Sequence, residues 1–167
     1  MIIISVIGYS GSGKTFFISK AIELLKDRLK LNSSVIKNIH EHKIDIEGKD
    51  SQKFIDAGSQ YSIIRNKLNE TAIFFKKNVD MEKLINWIQE SPLKTDIIFI
   101  EGFRNLVFPK VLCIKELSEI KSQLTNKVKM ISGLFAKNRT QFEGKIDLPF
   151  IDITTDFERF LHIFKIK

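Results

Sequence analysis

Gly8-Tyr9-Ser10-Gly11-Ser12-Gly13-Lys14-Thr15 decides the reading of this chain. It fits G-x-x-x-x-G-K-[ST] at every fixed position, the pattern of a phosphate-binding loop. The flanks agree with it. Ile2-Ile3-Ile4-Ser5-Val6-Ile7 is a nearly continuous apolar run, as in a strand buried on both faces. Gly13–Lys30 carries Phe17, Ala21, Leu24, Leu25 and Leu29 near a 3.6-residue period, which predicts a helix. In a strand–loop–helix unit of this kind, glycines let the backbone approach an anion. The loop N–H groups and the helix N-terminus then converge on phosphate oxygens. Gly8, Ser10, Gly11, Ser12, Gly13, Lys14 and Thr15 are therefore the candidate nucleotide-binding residues. Lys14 is placed to reach the β- and γ-phosphates, and Thr15 to bind Mg²⁺ through its hydroxyl.

Working outward, the chain alternates strand and helix patterns. Ser34–Ile36, Asp96–Ile100, Lys110–Ile114, Val128–Ile131 and Phe150–Ile153 read as strands, and the polar stretch 38–58 as loop plus a short helix. Tyr61–Ile64 and Thr71–Phe75, joined by Asn66-Lys67-Leu68-Asn69, read as an antiparallel hairpin. Asp80 reads as a helix N-cap before Met81, Leu84, Ile85 and Ile88, and a last helix begins near Thr155 with Phe157, Phe160, Leu161 and Phe164 on one face. Trp87 is expected in the core. The prediction is an α/β fold: the three-layer P-loop NTPase architecture, mainly parallel, with helices on both faces and a hairpin extension.

A phosphate loop that uses Mg²⁺ needs an acid nearby. Four apolar residues carry Glu101 to the C-terminal end of Asp96–Ile100, the edge where open α/β sheets bind ligands. Asp45, Lys49 and Asp50 lie in a polar segment of a kind that often completes the metal shell. Glu101 and Asp45 are thus candidate metal ligands and, with Lys14, candidate catalytic groups; Lys49 and Asp50 are candidate nucleotide contacts. His40 and His42 have no Cys partner, and H-x-H alone is a weak metal pattern. Arg65 and Arg104 follow strand ends, where a guanidinium either meets phosphate or lies at the surface.

Composition bounds the alternatives. The chain has 167 residues, 43% hydrophobic and 28% charged, which excludes a disordered polymer and fits a single domain over 1–167. Cys113 is the only cysteine, so there is no intramolecular disulfide framework. The apolar N-terminal run is far shorter than the ~20 residues of a membrane span, and a cytoplasmic location is expected. The net charge of +7 raises the question of nucleic acid. Up to Gly102 there are 15 basic and 13 acidic residues; beyond it, 12 and 7, with no basic run and no aromatic interleaving. That describes a lysine-rich solvated surface, so neither nucleic acid nor membrane is expected as a partner.

Taken together, these motifs resemble the molybdopterin-guanine dinucleotide biosynthesis protein B family. The resemblance rests on the phosphate loop, Val35-Ile36-Lys37 with a following His-bearing loop, Gly48-Lys49-Asp50-Ser51, Ala57-Gly58, Glu101-Gly102-Phe103-Arg104 and Pro109-Lys110, in that order. It departs at Asn38 and Glu41, where the family often has His, and in having no proline before Gly48. The resemblance implies a homodimeric protein with GTP and Mg²⁺ as cofactors and weak GTPase activity. It also implies molybdopterin guanylyltransferase, and molybdopterin or its guanine dinucleotide, as partners. From the residues alone, a small-molecule kinase and a nucleotide-binding adaptor remain open, although a kinase's arginine-rich lid has no counterpart among five scattered Arg. GTP and ATP are not distinguished either. Asn126-Lys127-Val128-Lys129 lacks the Asp of a guanine-reading Asn-Lys-x-Asp run, and Ala136-Lys137-Asn138 is another candidate loop.

Overall fold

A computed structural model of the chain describes residues 1–39, 44, 48–135 and 146–167. His40, His42, Asp45 and the Ala136-Lys137-Asn138 loop lie outside the described residues. The chain divides into two compact units, Met1–Asn38 with Ile85–Lys167, and Ile39–Leu84.

The first unit is built on a five-stranded parallel sheet. Its strands are β1 (Ile2–Ile7), β2 (Ser33–Lys37), β5 (Ile97–Glu101), β6 (Lys110–Cys113) and β7 (Val128–Ser132). They are ordered β2-β5-β1-β6-β7, with β1 central. The register sets Val6 beside Glu101, and Glu101 beside Lys37, so three C-terminal strand ends share one edge. Strand alternation sorts side chains to two faces. Ile4, Val6, Val111 and Cys113 join α1 (Lys14–Leu29) and α5 (Phe157–Phe164) in one cluster, through Phe17, Ala21, Leu25, Phe160 and Phe164. Ile7, Leu112, Ile114 and Ile131 join Ile120 of α4 (Ser118–Gln123) in the other. Burying each large apolar side chain contributes ~1.5–3 kcal/mol, so these two layers hold the sheet edge in place.

The expected strand at Phe150–Ile153 is reduced to one bridge, Ile131 to Phe150. Asp152 ends it: its Oδ1 accepts from Thr154 N at 2.9 Å and from Thr154 Oγ1 at 2.7 Å, which turns the chain. Helix α4 has no counterpart in the sequence pattern, because it carries only one buried apolar residue, Ile120.

The second unit holds α2 (Asp50–Asp56) and the antiparallel pair β3 (Ser62–Arg65) and β4 (Thr71–Phe74), as the hairpin pattern predicts. Asn66 Oδ1 closes the turn by accepting from Leu68 N at 2.8 Å and Glu70 N at 3.0 Å. Helix α3 (Met81–Glu90) starts where expected, with Asp80 Oδ1 accepting from Lys83 N at 2.9 Å. Trp87 is 48% exposed, against the expectation of a core position.

Candidate functional site

The phosphate-loop motif takes the turn that its glycines permit. Gly8, Gly11 and Gly13 have φ of 147°, 68° and 91°. Gly8 is the most constrained: a Cβ there would strike the Cys113 carbonyl oxygen and lie 2.5 Å from Ser12 Oγ. The loop is braced from β6 and β7. Leu134 N donates to Ser12 O at 3.2 Å, Phe135 N to Ile114 O at 3.1 Å, and Ile114 N to Ser132 O at 3.0 Å. Ser12 is fully buried, and its Oγ has no hydrogen-bond partner among the described residues. A buried hydroxyl left without a partner is costly, and a polar ligand would satisfy it.

Lys14 folds over its own loop, with Nζ donating to Gly8 O at 3.1 Å and to Tyr9 O at 2.9 Å. Its charge is thereby held at the mouth of the loop. Thr15, one residue into α1, approaches the acid predicted at the end of β5. Thr15 Oγ1 lies 3.4 Å and 3.5 Å from the two Glu101 carboxylate oxygens. Glu101 is only 7% exposed, and its Oε1 meets Lys37 Nζ at 3.6 Å. Two residues 86 positions apart thus bring a hydroxyl and a carboxylate together beside the lysine. Among the described residues no three His, Cys, Asp or Glu side chains form a metal cage. The donor set fits Mg²⁺, which is commonly bound through one or two protein oxygens while phosphates and water fill the octahedron.

The other expected residues are placed as follows within their own units. Ser10 is an exposed residue of the loop. Lys49 is the N-cap of α2, and Asp50 is its first residue, ion-paired with Lys53 at 3.2 Å. Both line a groove of the second unit with Phe54, Ile63 and Arg65. Asn126 and Lys127 precede β7 in a parallel sheet, so they stand at the edge opposite Gly8–Thr15 and cannot read a base held there. Arg65 donates to Asn69 Oδ1 at 3.4 Å within the hairpin.

Three basic groups gain neighbours that the sequence did not name. Lys37 is the partner of Glu101. Arg104 lies over the Tyr9 ring, its guanidinium carbon 4.7 Å from the ring centroid, while Tyr9 Oη pairs with Ser122 Oγ at 3.2 Å. The Ser122 hydrogen bond, then Arg104, lowers the Tyr9 phenol below its usual pKa. Lys115 is close enough that a Cβ on Gly11 would meet its Cε and Nζ at 3.1 Å. The available signal was positional: Lys37 and Lys115 end or follow strands on the same sheet edge as Gly8.

Comparison with known proteins accords with this geometry. The profile of the family described as molybdopterin guanine dinucleotide synthesis protein B matches residues 3–135. A Haemophilus influenzae protein named molybdopterin-guanine dinucleotide biosynthesis adapter protein is 31% identical, with 97% of this chain and 90% of that protein aligned. A probable adapter protein of the same name from Bacillus subtilis is 30% identical over 85% of this chain and 82% of its own length. The crystal structure of Bacillus subtilis MobB superposes with a TM-score of 0.75 at 25% identity, covering 100% of both chains. The MobB homolog from Bacillus stearothermophilus shares the fold, with a TM-score of 0.66 at 16% identity over 99% of this chain and 97% of its own. With its profile match running from β1 beyond β7 and its fold shared over the whole chain, this protein belongs to the molybdopterin guanine dinucleotide synthesis protein B family.

Proposed function

We propose that this chain is a Mg²⁺-dependent GTP-binding adapter with weak GTPase activity. In this reading it assists the enzyme that attaches guanosine monophosphate to molybdopterin. The observation that carries the nucleotide half is the Thr15–Glu101 pair, set 3.4 Å apart at the foot of the loop that holds Lys14. Backbone N–H groups of Gly8–Thr15 and the Lys14 ammonium would bind the phosphates, while Thr15 and Glu101 would hold Mg²⁺ directly or through water. The ion supplies charge neutralisation at the phosphates. Glu101 is engaged by Thr15 and Lys37, which suits it to the ion and leaves it poorly placed to activate a water, in keeping with slow turnover. The relatives' adapter names favour a protein that works by docking, and in this reading the nucleotide sets the shape of the docking surface.

Calorimetry with GTP and ATP, with and without Mg²⁺, tests this reading. Mg²⁺-dependent binding that disappears in Lys14→Ala is expected. Rapid transfer of γ-phosphate from ATP to a metabolite would establish a kinase instead. If Lys14→Ala lost nucleotide but still stimulated the guanylyltransferase, function would not run through the nucleotide.

The same proposal includes a homodimer. Among the described residues β3 and β4 pair only with each other, and Ile63 and Ile64 are 65% and 42% exposed. An unpaired, apolar hairpin edge is a template for a second copy. Light scattering should give twice the 19.3 kDa chain mass; a 19.3 kDa species at every concentration would refute the dimer.

A further inference from the structure

A ligand whose phosphates lie on Gly8–Thr15 can extend along the sheet edge in two directions. Toward β5 and β2 the edge is charged, with Glu101 and Lys37 in contact. Toward β7 it opens into a pocket lined by Phe16 and Phe17 from the first turn of α1, Gly133 and Leu134 from the loop after β7, and Asp152 and Ile153 from the turn after Phe150. Phe16 and Leu134 are 54% and 53% exposed, and neither belongs to a core cluster. Two large apolar side chains thus flank an opening one residue from Thr15. Ser132 also lines it, but its Oγ donates to Ile151 O at 2.6 Å, which leaves Asp152 as the charged group of the lining. Its Oδ1 is fixed by the two Thr154 hydrogen bonds at 2.9 Å and 2.7 Å, while its Oδ2 has no partner among the described residues. Apolar walls around a single oriented carboxylate suit a flat aromatic ring with adjacent N–H donors on one edge.

We propose that this pocket is the nucleobase site and that Asp152 reads guanine. The inference rests on the reading of Gly8–Thr15 as a nucleoside triphosphate loop. Guanine presents N1–H and the exocyclic N2 amine side by side, and a carboxylate accepts from both. Adenine turns an unprotonated N1 toward the same group, so two lone pairs face one another. The division of the edge is consistent: the ion goes to Thr15 and Glu101, and the base to the opposite side of the loop. Asn126 and Lys127, at the far edge, take no part.

The test is calorimetry in Mg²⁺ with GTP, ATP, xanthosine triphosphate and inorganic tripolyphosphate. Wild type should favour GTP over both other nucleotides. Asp152→Asn keeps Oδ1 for Thr154 but places an amide donor where guanine needs an acceptor. Xanthine carries a carbonyl at C2, so this variant should invert the ratio of GTP to xanthosine triphosphate affinity by at least roughly tenfold. Phe16→Ala should weaken all three nucleotides alike and leave tripolyphosphate unchanged. If Asp152→Asn retains the wild-type preference, or loses GTP without gaining xanthosine triphosphate while still binding tripolyphosphate, the assignment falls. If it loses tripolyphosphate too, Phe16→Ala decides: equal loss of GTP and tripolyphosphate overturns the pocket. Wild type that binds tripolyphosphate with no base preference overturns this inference and leaves the phosphate loop standing. Wild type that binds no phosphate at all overturns both.

Discussion

Gly133 is outside every motif, yet replacing it with alanine should damage the protein more than replacing Gly11 of the motif. Its φ is +94°, and a Cβ there would press on Ser12 O and lie 2.8 Å from Ile114 N and 2.9 Å from Ile114 O. All three are backbone atoms, held by the Leu134–Ser12 and Ile114–Ser132 hydrogen bonds, so none can swing aside. The positive φ costs ~1–3 kcal/mol in an L-residue. Forcing a methyl into packed backbone costs a further ~1–3 kcal/mol. Gly11→Ala is the matched control in the same unit. Its φ is +68°, but the new methyl would meet only Cε and Nζ of the exposed Lys115 side chain, which can move. The difference between the two variants is therefore the packing contribution, ~1–3 kcal/mol, or roughly 2–12 °C in melting temperature for a chain of this size. Urea and thermal unfolding followed by circular dichroism measure it directly. Gly11→Ala should lose nucleotide with modest loss of stability, whereas Gly133→Ala should lose both. Stabilities of the two variants agreeing to within ~0.5 kcal/mol, the ordinary scale of a surface substitution, would refute the idea that β7's following loop buttresses Ser12.

Three further outcomes are expected. Glu101→Gln should cut the Mg²⁺ dependence of GTP binding by roughly 10–100-fold while leaving Mg²⁺-free binding largely intact; an unchanged Mg²⁺ titration would remove Glu101 from the ion's shell. Asp96 accepts from Asn32 N at 2.9 Å and from Lys94 Nζ at 3.0 Å, and the Asn32 bond, then Lys94, holds its pKa below the ordinary 3.8. A carboxylate depressed in the folded state adds stability above its unfolded value and loses it as pH falls through the folded one. The wild-type advantage over Asp96→Asn should thus be present at neutral pH and shrink progressively below 3.8; a gap in urea midpoints that stays constant into that range would contradict it. Cys113 is fully buried, and burial raises its thiol pKa, so a disulfide reagent should label it only as fast as the protein opens. Immediate stoichiometric labelling of the folded protein would show that β6 is not where the core places it.

What the sequence made legible was whatever a short window contains. Eight consecutive residues specify the phosphate loop, and a run of apolar residues ending in an acid specifies Glu101 at a strand end. Periodicity located α1, α3 and α5 to within a few residues. Where the reading failed, local signals competed with non-local ones. Trp87 is expected in the core, but the stripe of α3 runs through Met81, Leu84, Ile85 and Ile88, and Trp87 stands two residues beyond Ile85, off that face. Phe150–Ile153 is as buried as a strand, but Asp152 is spent on a turn with Thr154. Buriedness and strand geometry are separate properties, and an apolar run reports only the first.

The site itself divides along the same line. Lys14 and Thr15 carry their role in the residues beside them, since any strand–loop–helix unit with that pattern presents them in one way. Glu101 needs only one non-local fact, that β5 pairs with β1. Lys37, Lys115, Gly133 and Asp152 need more. Their relevance depends on strand order, and no spacing in the chain encodes that β6 and β7 lie on one flank of β1 while β5 and β2 lie on the other. That order is what separates the charged flank from the apolar pocket. A phosphate loop with Thr15 and Glu101 alone would grip any nucleoside triphosphate. On the proposed reading, discrimination between bases would have to come from the flank that the motif does not specify, with the general chemistry written locally and the selectivity written in the topology.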